Sequence, residues 1–291
     1  MARYQLRDTG DPLEPLALHD LDRGAAVTLS PARGGMATRF SVGDVPVLAL
    51  DEATLRDPSK SVRGGVPLLL PIAGRLEGDA WSHGGKLYAM KQHGFGRNRA
   101  WAVVAADADA TGAAATLRLE DDAETRAQYP FAFTFEARYA LVDATLTVTL
   151  TAACRGGGAM PVHVGTHPYF HVPAAAKSGA RVDTAATRAW DNVAKREVAL
   201  AGPIDFGGAE VDLHLLDHGS RATTLHRPGL PAVRLAWSEG LPTLVLWTLP
   251  GRDFVCVEPW SAPAGALARG DATVVPEGGA ASWWWSMGTA G

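Results

Sequence analysis

The chain has 291 residues, 47% of them hydrophobic, with a formal net charge of −4. That length holds a substantial core without disulfide staples, and the slightly acidic balance gives no electrostatic ground for a nucleic-acid partner. The opening MARYQLRDTGDPLEPLALHD lacks the apolar run of a secretory leader and no stretch of 18 apolar residues follows, so a cytoplasmic protein without a membrane partner is expected.

The 32 glycines and 19 prolines are spread along the chain and interrupt nearly every segment before a helix of ordinary length forms. Ala25 to Ser30 and Ala37 to Val42 read as strands around the turn at residues 31–35, and Val45 to Leu50 follows Gly43-Asp44 as a hairpin partner. Arg63 to Trp101 is different. Its apolar run, Val66 to Ile72, is broken by Pro67 and Pro71, which remove backbone donors, so it reads as a buried irregular segment. Trp101 to Ala106 pairs with Ala114 to Glu120, and Glu120 to Gln128 is the best short helical turn.

Phe131 to Leu141 and Ala144 to Ala152 alternate apolar with small or polar residues, as half-buried strands do. Met160 to Phe170 comes next, then short strands at Arg181 to Thr184 and Ala189 to Val193, and a turn-rich stretch at 203–217. Thr223 to His226, Ala232 to Trp237, Thr243 to Leu249, Phe254 to Trp260 and Ser282 to Met287 complete the strand pattern. No linker divides the chain. One all-β domain over 1–291 is expected, a large antiparallel β-sandwich.

Three polar residues sit in contexts that would hold them still: His93 in QHGF, His167 in GTHPYF and Glu258 in VCVEPW. A histidine before a glycine is most often an ordinary loop or core residue. Glu258, flanked by Val257, Pro259 and Trp260, is either a carboxylate on the polar face of an edge strand or a buried general base. His163, His167 and His171 recur every fourth residue, but Pro168 opposes a helix, and in a strand neighbours would stand about 13 Å apart. Cys154 and Cys256 have no paired ligand spacing and read as reduced buried thiols. No required metal or cofactor is expected. Arg63, Arg75 and Arg97 are either solvated surface or donors to sugar hydroxyls or a phosphate. Trp81, Phe95, Tyr169, Trp247 and Trp260 are either core or stacking faces for a sugar ring.

At these residues the sequence resembles the aldose 1-epimerase (mutarotase) superfamily. The likeness is carried, in the family's order, by GGVPLLLPIAGR, QHGFGR, YPFAF, MPVHVGTHPYF, LDHGS and FVCVEPW, from about Leu29 to Trp285. It implies a galactose mutarotase-like supersandwich, monomeric or homodimeric, acting on a small-molecule sugar without a cofactor. It also implies that Glu258 takes the proton from the C1 hydroxyl, that His167 protonates the ring oxygen O5, and that His93 binds near O5 and C1 with a share in the acid role. Arg75 and Asp217 match residues that bind sugar hydroxyls. An ordinary Glu near about 4.3 and His near about 6.5 can be base and acid together around neutrality.

Two details separate branches of the family. Ala73-Gly74 precede Arg75 where many galactose mutarotases carry an asparagine, and RGGVP resembles the hexose-6-phosphate epimerases, in which the arginine matching Arg63 helps hold the phosphate. HPYF and EPWSAP resemble branches acting on free sugars. The leading expectation is an aldohexose 1-epimerase, with a hexose-6-phosphate 1-epimerase as the alternative. A non-catalytic sugar-binding module is disfavoured because His93, His167 and Glu258 are all present, and a metal-dependent cupin-like enzyme because no HxH-type cluster exists.

Overall fold

A computed structural model describes residues 2–289. All pairing between its named strands is antiparallel, in three large sheets and two small two-stranded ones. The first large sheet has five strands in sequence order, from Tyr4–Asp8 to Val45–Pro46. Asp20 closes this sheet by accepting two bonds of 2.9 Å from the Arg3 guanidinium. Its first two strands, Tyr4–Asp8 and Leu16–Asp20, were not apparent in the sequence, where Pro12 and Pro15 break up the pattern.

The second sheet has eight strands. Thr145–Gly156 lies at its centre between Ala132–Val142 and Ala280–Thr289. Here the alternation in the sequence becomes structure: Leu146, Val148 and Leu150 are fully buried, and the intervening threonines are only partly so. Phe133 stacks on Phe135 at 4.2 Å and on Phe95 at 5.8 Å. The helical turn expected near 120–128 is Ala123–Arg126, started by an Asp122–Thr125 capping box.

The third sheet carries the site. Its order is Arg196–Ala199, Arg188–Asp191, Val211–Leu215, Thr243–Thr248, Phe254–Trp260, Gly165–Thr166 and Leu68–Leu69, with Tyr169–His171 also paired to Phe254–Trp260. Directly opposed residues point to the same face of a sheet. One row is therefore His214, Val245, Glu258, and the next is Asp212, Trp247, Cys256. The alternate residues Leu213, Leu246 and Val257 turn inward, into one continuous apolar cluster that draws on all three large sheets. The opposite face carries Asp212, His214, Trp247 and Glu258, with Val245 and Cys256 between them.

Two proline effects shape one side of this sheet. Met160–Phe170 breaks into three short strands around Pro168 and its neighbours, and the irregular run Val66–Ile72 contributes only Leu68–Leu69. No helix among the described residues is long and apolar enough to cross a membrane. Phe133→Ala is expected to lower the unfolding free energy by about 3–5 kcal/mol, because a fully buried stacked ring leaves a cavity its neighbours cannot refill. Urea unfolding with an unchanged m-value checks this.

Candidate active site

Glu258 stands on the Phe254–Trp260 strand, in the row that also holds Val245 and His214, and is almost wholly buried. One carboxylate oxygen accepts a 3.2 Å bond from the Trp260 indole N–H. The other lies 3.4 Å from His167 Nε2. The bond from Trp260 joins residues i and i+2 of one strand, and the indole fits only because residue 165 opposite is glycine. A Cβ there would stand 2.6 Å from the Trp260 ring. His163, His93 and His214 meet the same indole edge-on, at 6.2, 5.9 and 5.2 Å.

His167 follows the Gly165–Thr166 strand. Its backbone N–H donates to Pro67 O at 3.1 Å, and its ring stacks on Tyr169 at 4.7 Å with Trp247 edge-on at 5.3 Å. The irregular apolar run thus anchors the backbone of the histidine.

His93 comes from a loop that docks on the same run. Leu70 O accepts from Phe95 N and Gly96 N, while Gly74 O accepts from His93 N at 2.8 Å. His93 adopts a left-handed φ of 66°, and Gly94 follows with φ 65° against the Leu70 carbonyl, where no side chain could fit. Gly74 N donates to His93 Nδ1 at 3.0 Å. The neutral ring therefore carries its proton on Nε2, and the Gln92 side-chain amide 3.2 Å away can accept it only with its oxygen turned toward the ring.

These three residues line a cleft of about 730 Å³ that crosses the sheet. Arg63, Arg75 and Arg97 line it too, together with Tyr169, Trp247 and Trp260. Trp81 and Phe95, by contrast, belong to the core. Arg97 is largely buried; its Nη2 donates to Gln92 O at 3.2 Å, its Nε has no partner, and among the described residues no carboxylate pairs with it. Arg75 lies 3.7 Å from Asp79 and is mostly exposed.

Asp217 does not reach the cleft. Its carboxylate accepts from Thr187 N, Thr187 Oγ1 and Arg188 N at 2.9, 2.6 and 3.2 Å, fastening the chain ahead of the Arg188–Asp191 strand. The aspartate that lines the cleft is Asp212, held by Asn192 Nδ2 at 2.9 Å, with His214 Nε2 at 3.6 Å. Both stand on the Val211–Leu215 strand, inside the stretch expected to be turns. The alternation Val-Asp-Leu-His-Leu is the signal that could have revealed it.

Burial governs the electrostatics. Desolvation pushes the Glu258 carboxyl well above its ordinary range, with Asp212 adding to the shift, while the Trp260 bond and Arg97 pull the other way. The His167 imidazole is pushed down to about 3 by desolvation and then by the Arg97 cation. His93 lies well below its usual value for the same two reasons, and His163 is lowered to about 4, chiefly by burial. The expectation of an ionised glutamate beside an imidazolium is thus modified: the unliganded site favours the uncharged forms, with the pair's single proton on the carboxyl.

The spacing His163, His167, His171 gathers nothing, since His163 is tied to Ala262 O at 2.7 Å. A different set comes together: donor atoms of His167, Cys256 and Glu258 lie within 4.8 Å of one another. Linear spacing hides this group, because Cys256 and Glu258 share a strand face and His167 arrives from a neighbour. Burial and nearby Glu258 hold the Cys256 thiol well above its ordinary pKa, so a metal would have to displace its proton and would occupy both His167 and Glu258.

Residues 51–275 match the family described as aldose 1-epimerase. The chain belongs to the aldose 1-epimerase family. Among solved structures, the epimerase-family chain resembles the Slr1438 protein of Synechocystis sp. PCC 6803, with 33% identity, a TM-score of 0.92 and 97% of each chain covered. A galactose mutarotase-like protein of Clostridium acetobutylicum shares the fold at 17% identity, with a TM-score of 0.82 and 99% of each chain covered. A Cenchrus ciliaris protein named "Putative glucose-6-phosphate 1-epimerase" is 28% identical over 243 residues, 76% of this chain and 63% of that one. The chain spans 40 to 63% of the length of the curated relatives it matches.

By NMR, the His167 ring is expected to stay neutral as pH falls through 6 and 5 and to protonate only near pH 3, where burial has moved its pKa. An imidazolium signal for His167 at pH 5 would contradict the assignment.

Proposed function

We propose that the protein interconverts the α and β anomers of an aldohexose, with Glu258 and His167 exchanging one proton with the sugar at each end. The observation that carries this is the buried contact of 3.4 Å between His167 Nε2 and Glu258 Oε1, facing a cleft wide enough for a pyranose. Ring opening needs one group to take the C1 hydroxyl proton and another to give a proton to O5. Closure on the other face of the aldehyde reverses both transfers. In the unliganded site that proton rests on Glu258, so it must cross the 3.4 Å contact to His167 when the sugar binds, leaving the carboxylate to take the C1 hydroxyl proton and the imidazolium to protonate O5.

His93 enters as a donor. Its Nε2–H is set by the bond from Gly74 to Nδ1, so it offers a hydrogen bond to a ring or hydroxyl oxygen without needing a charge. Asp212 and His214, two strands along, would accept and donate to the hydroxyls opposite C1, while Trp247 and Tyr169 supply apolar faces. In this arrangement C1 and O5 lie at the centre of the cleft and C6 lies toward Arg97.

A second reading keeps the chemistry and adds a phosphate on C6. It is favoured by Arg97, largely buried with no carboxylate partner among the described residues, and by Arg63 and Arg75 at the same end. The Cenchrus ciliaris relative bears a name of this kind.

Anomer exchange followed by NMR with glucose, galactose and their 6-phosphates tests both. Glu258→Gln should lower turnover by about 10²–10⁴-fold while sugar binding persists. Near wild-type turnover in that variant would rule out Glu258 as the proton carrier. Arg63→Ala should cost about ten- to a hundredfold on a 6-phosphate, the loss of one charge-assisted hydrogen bond of about 1.5–3 kcal/mol, and leave the free sugar nearly unchanged. Equal losses on both would remove the phosphate role.

A further inference from the structure

One strand register brings His167, Cys256 and Glu258 together. Gly165 is opposite Trp260 and Tyr169 is opposite Cys256, with no residue gained or lost between them. The same antiparallel register therefore sets His167 opposite Glu258, with Cys256 as a diagonal neighbour on the same face. An imidazole, a thiol and a carboxyl group converge there, their donor atoms all within 4.8 Å of one another. Anomer exchange employs the first and the last and leaves the thiol without a task.

This set has the chemistry of a site for a thiophilic divalent cation. Tetrahedral zinc holds nitrogen and oxygen at about 2.0–2.1 Å and thiolate sulfur at about 2.3 Å, so its ligand atoms stand about 3.3–3.5 Å apart. His167 Nε2 and Glu258 Oε1 already stand at 3.4 Å. The Cys256 sulfur has at most about 1.3 Å to close. Binding releases the thiol proton and the proton shared by Glu258 and His167. Two anionic ligands and one neutral ligand then surround a doubly charged ion, and the neutral complex is cheaper to hold out of water than a bare charge. Magnesium and calcium demand six or more oxygens, and the set offers one carboxylate. His167 and Glu258 line the cleft, which gives the ion its way in.

The site is not built for permanent loading. His167 Nδ1 is buried with no hydrogen-bond partner among the described residues. A ligating histidine in a tight zinc site carries such a bond, and losing it costs about 10- to 100-fold in affinity. We propose that His167, Cys256 and Glu258 form a reversible zinc site that silences the enzyme, because one ion takes both proton carriers at once. The silencing rests on the anomer-exchange reading of these residues; the binding of the metal does not.

Two measurements on the metal-free chain test this. In the first, it is titrated with cobalt(II), whose bond to a thiolate gives a near-ultraviolet charge-transfer band. The chain has only two cysteines, Cys154 and Cys256. Wild type and Cys154→Ala should show the band and lose it on adding zinc, and Cys256→Ala should not show it. No band in Cys154→Ala, where Cys256 is the sole thiol, overturns the site even if Cys256→Ala fails to fold. In the second, zinc should inhibit anomer exchange by wild type and magnesium should not. Half-inhibition of Cys256→Ala should need at least about tenfold more zinc, read against its own metal-free rate. Equal zinc sensitivity of the two proteins, or turnover untouched by zinc, would overturn the silencing. Should the metal-free chain not exchange anomers at all, the epimerase reading fails, and the cobalt band alone then judges the site.

Discussion

A carboxyl group and an imidazole, both withdrawn from water and 3.4 Å apart, set the terms for everything around them. Moving such groups out of water is costly, and the cost is largest for their charged forms. The site limits it in two ways. Both groups can remain uncharged by sharing a proton, and the carboxylate oxygen remote from His167 receives the Trp260 N–H. That indole needs a glycine opposite it, and the backbone of the imidazole needs the irregular apolar run beneath. Much of the local sequence follows from holding one proton in place.

The rest of the cleft is polarised around that centre. Arg63, Arg75 and Arg97 come from the loops at one side with Glu77 among them, and Asp212 stands two strands into the sheet with Glu210 and Lys195 near it. The difference sits in a partly dry trough, where it is worth more than on open surface. On the proposed reading, a sugar carrying a phosphate would be oriented by the arginines before any proton moves. His93 completes the arrangement as a neutral donor, its tautomer settled by a backbone amide rather than by a carboxylate.

Much of this was legible in the sequence, and what was missed shares a cause. Leu146, Val148 and Leu150 announce a half-buried strand through alternation alone. QHGF, GTHPYF and VCVEPW point to the three central polar residues because each puts a polar group among residues that fix or bury it. The LDHGS match points to Asp217, yet its carboxylate is engaged with Thr187 and Arg188. The five-residue strand holding Asp212 and His214 lies after a run of glycines and prolines that drowned its alternation. Cys256 could not be related to the site in one dimension, since its relation to Glu258 is a matter of strand face and that to His167 of a neighbouring strand.

The cleft crosses the strands instead of running along them, and this gives the site a graduated character. On the proposed reading, Phe254–Trp260 would hold the reacting end, Thr243–Thr248 the apolar floor and Val211–Leu215 the far hydroxyls. Each strand owns one station along the ligand, at intervals fixed by backbone hydrogen bonding at about 4.8 Å. A replacement on one strand alters one station and leaves the spacing of the others untouched. Such a sheet works as a ruler, on which preferences for different sugars can be rewritten one mark at a time while the chemistry at the origin stays where it is.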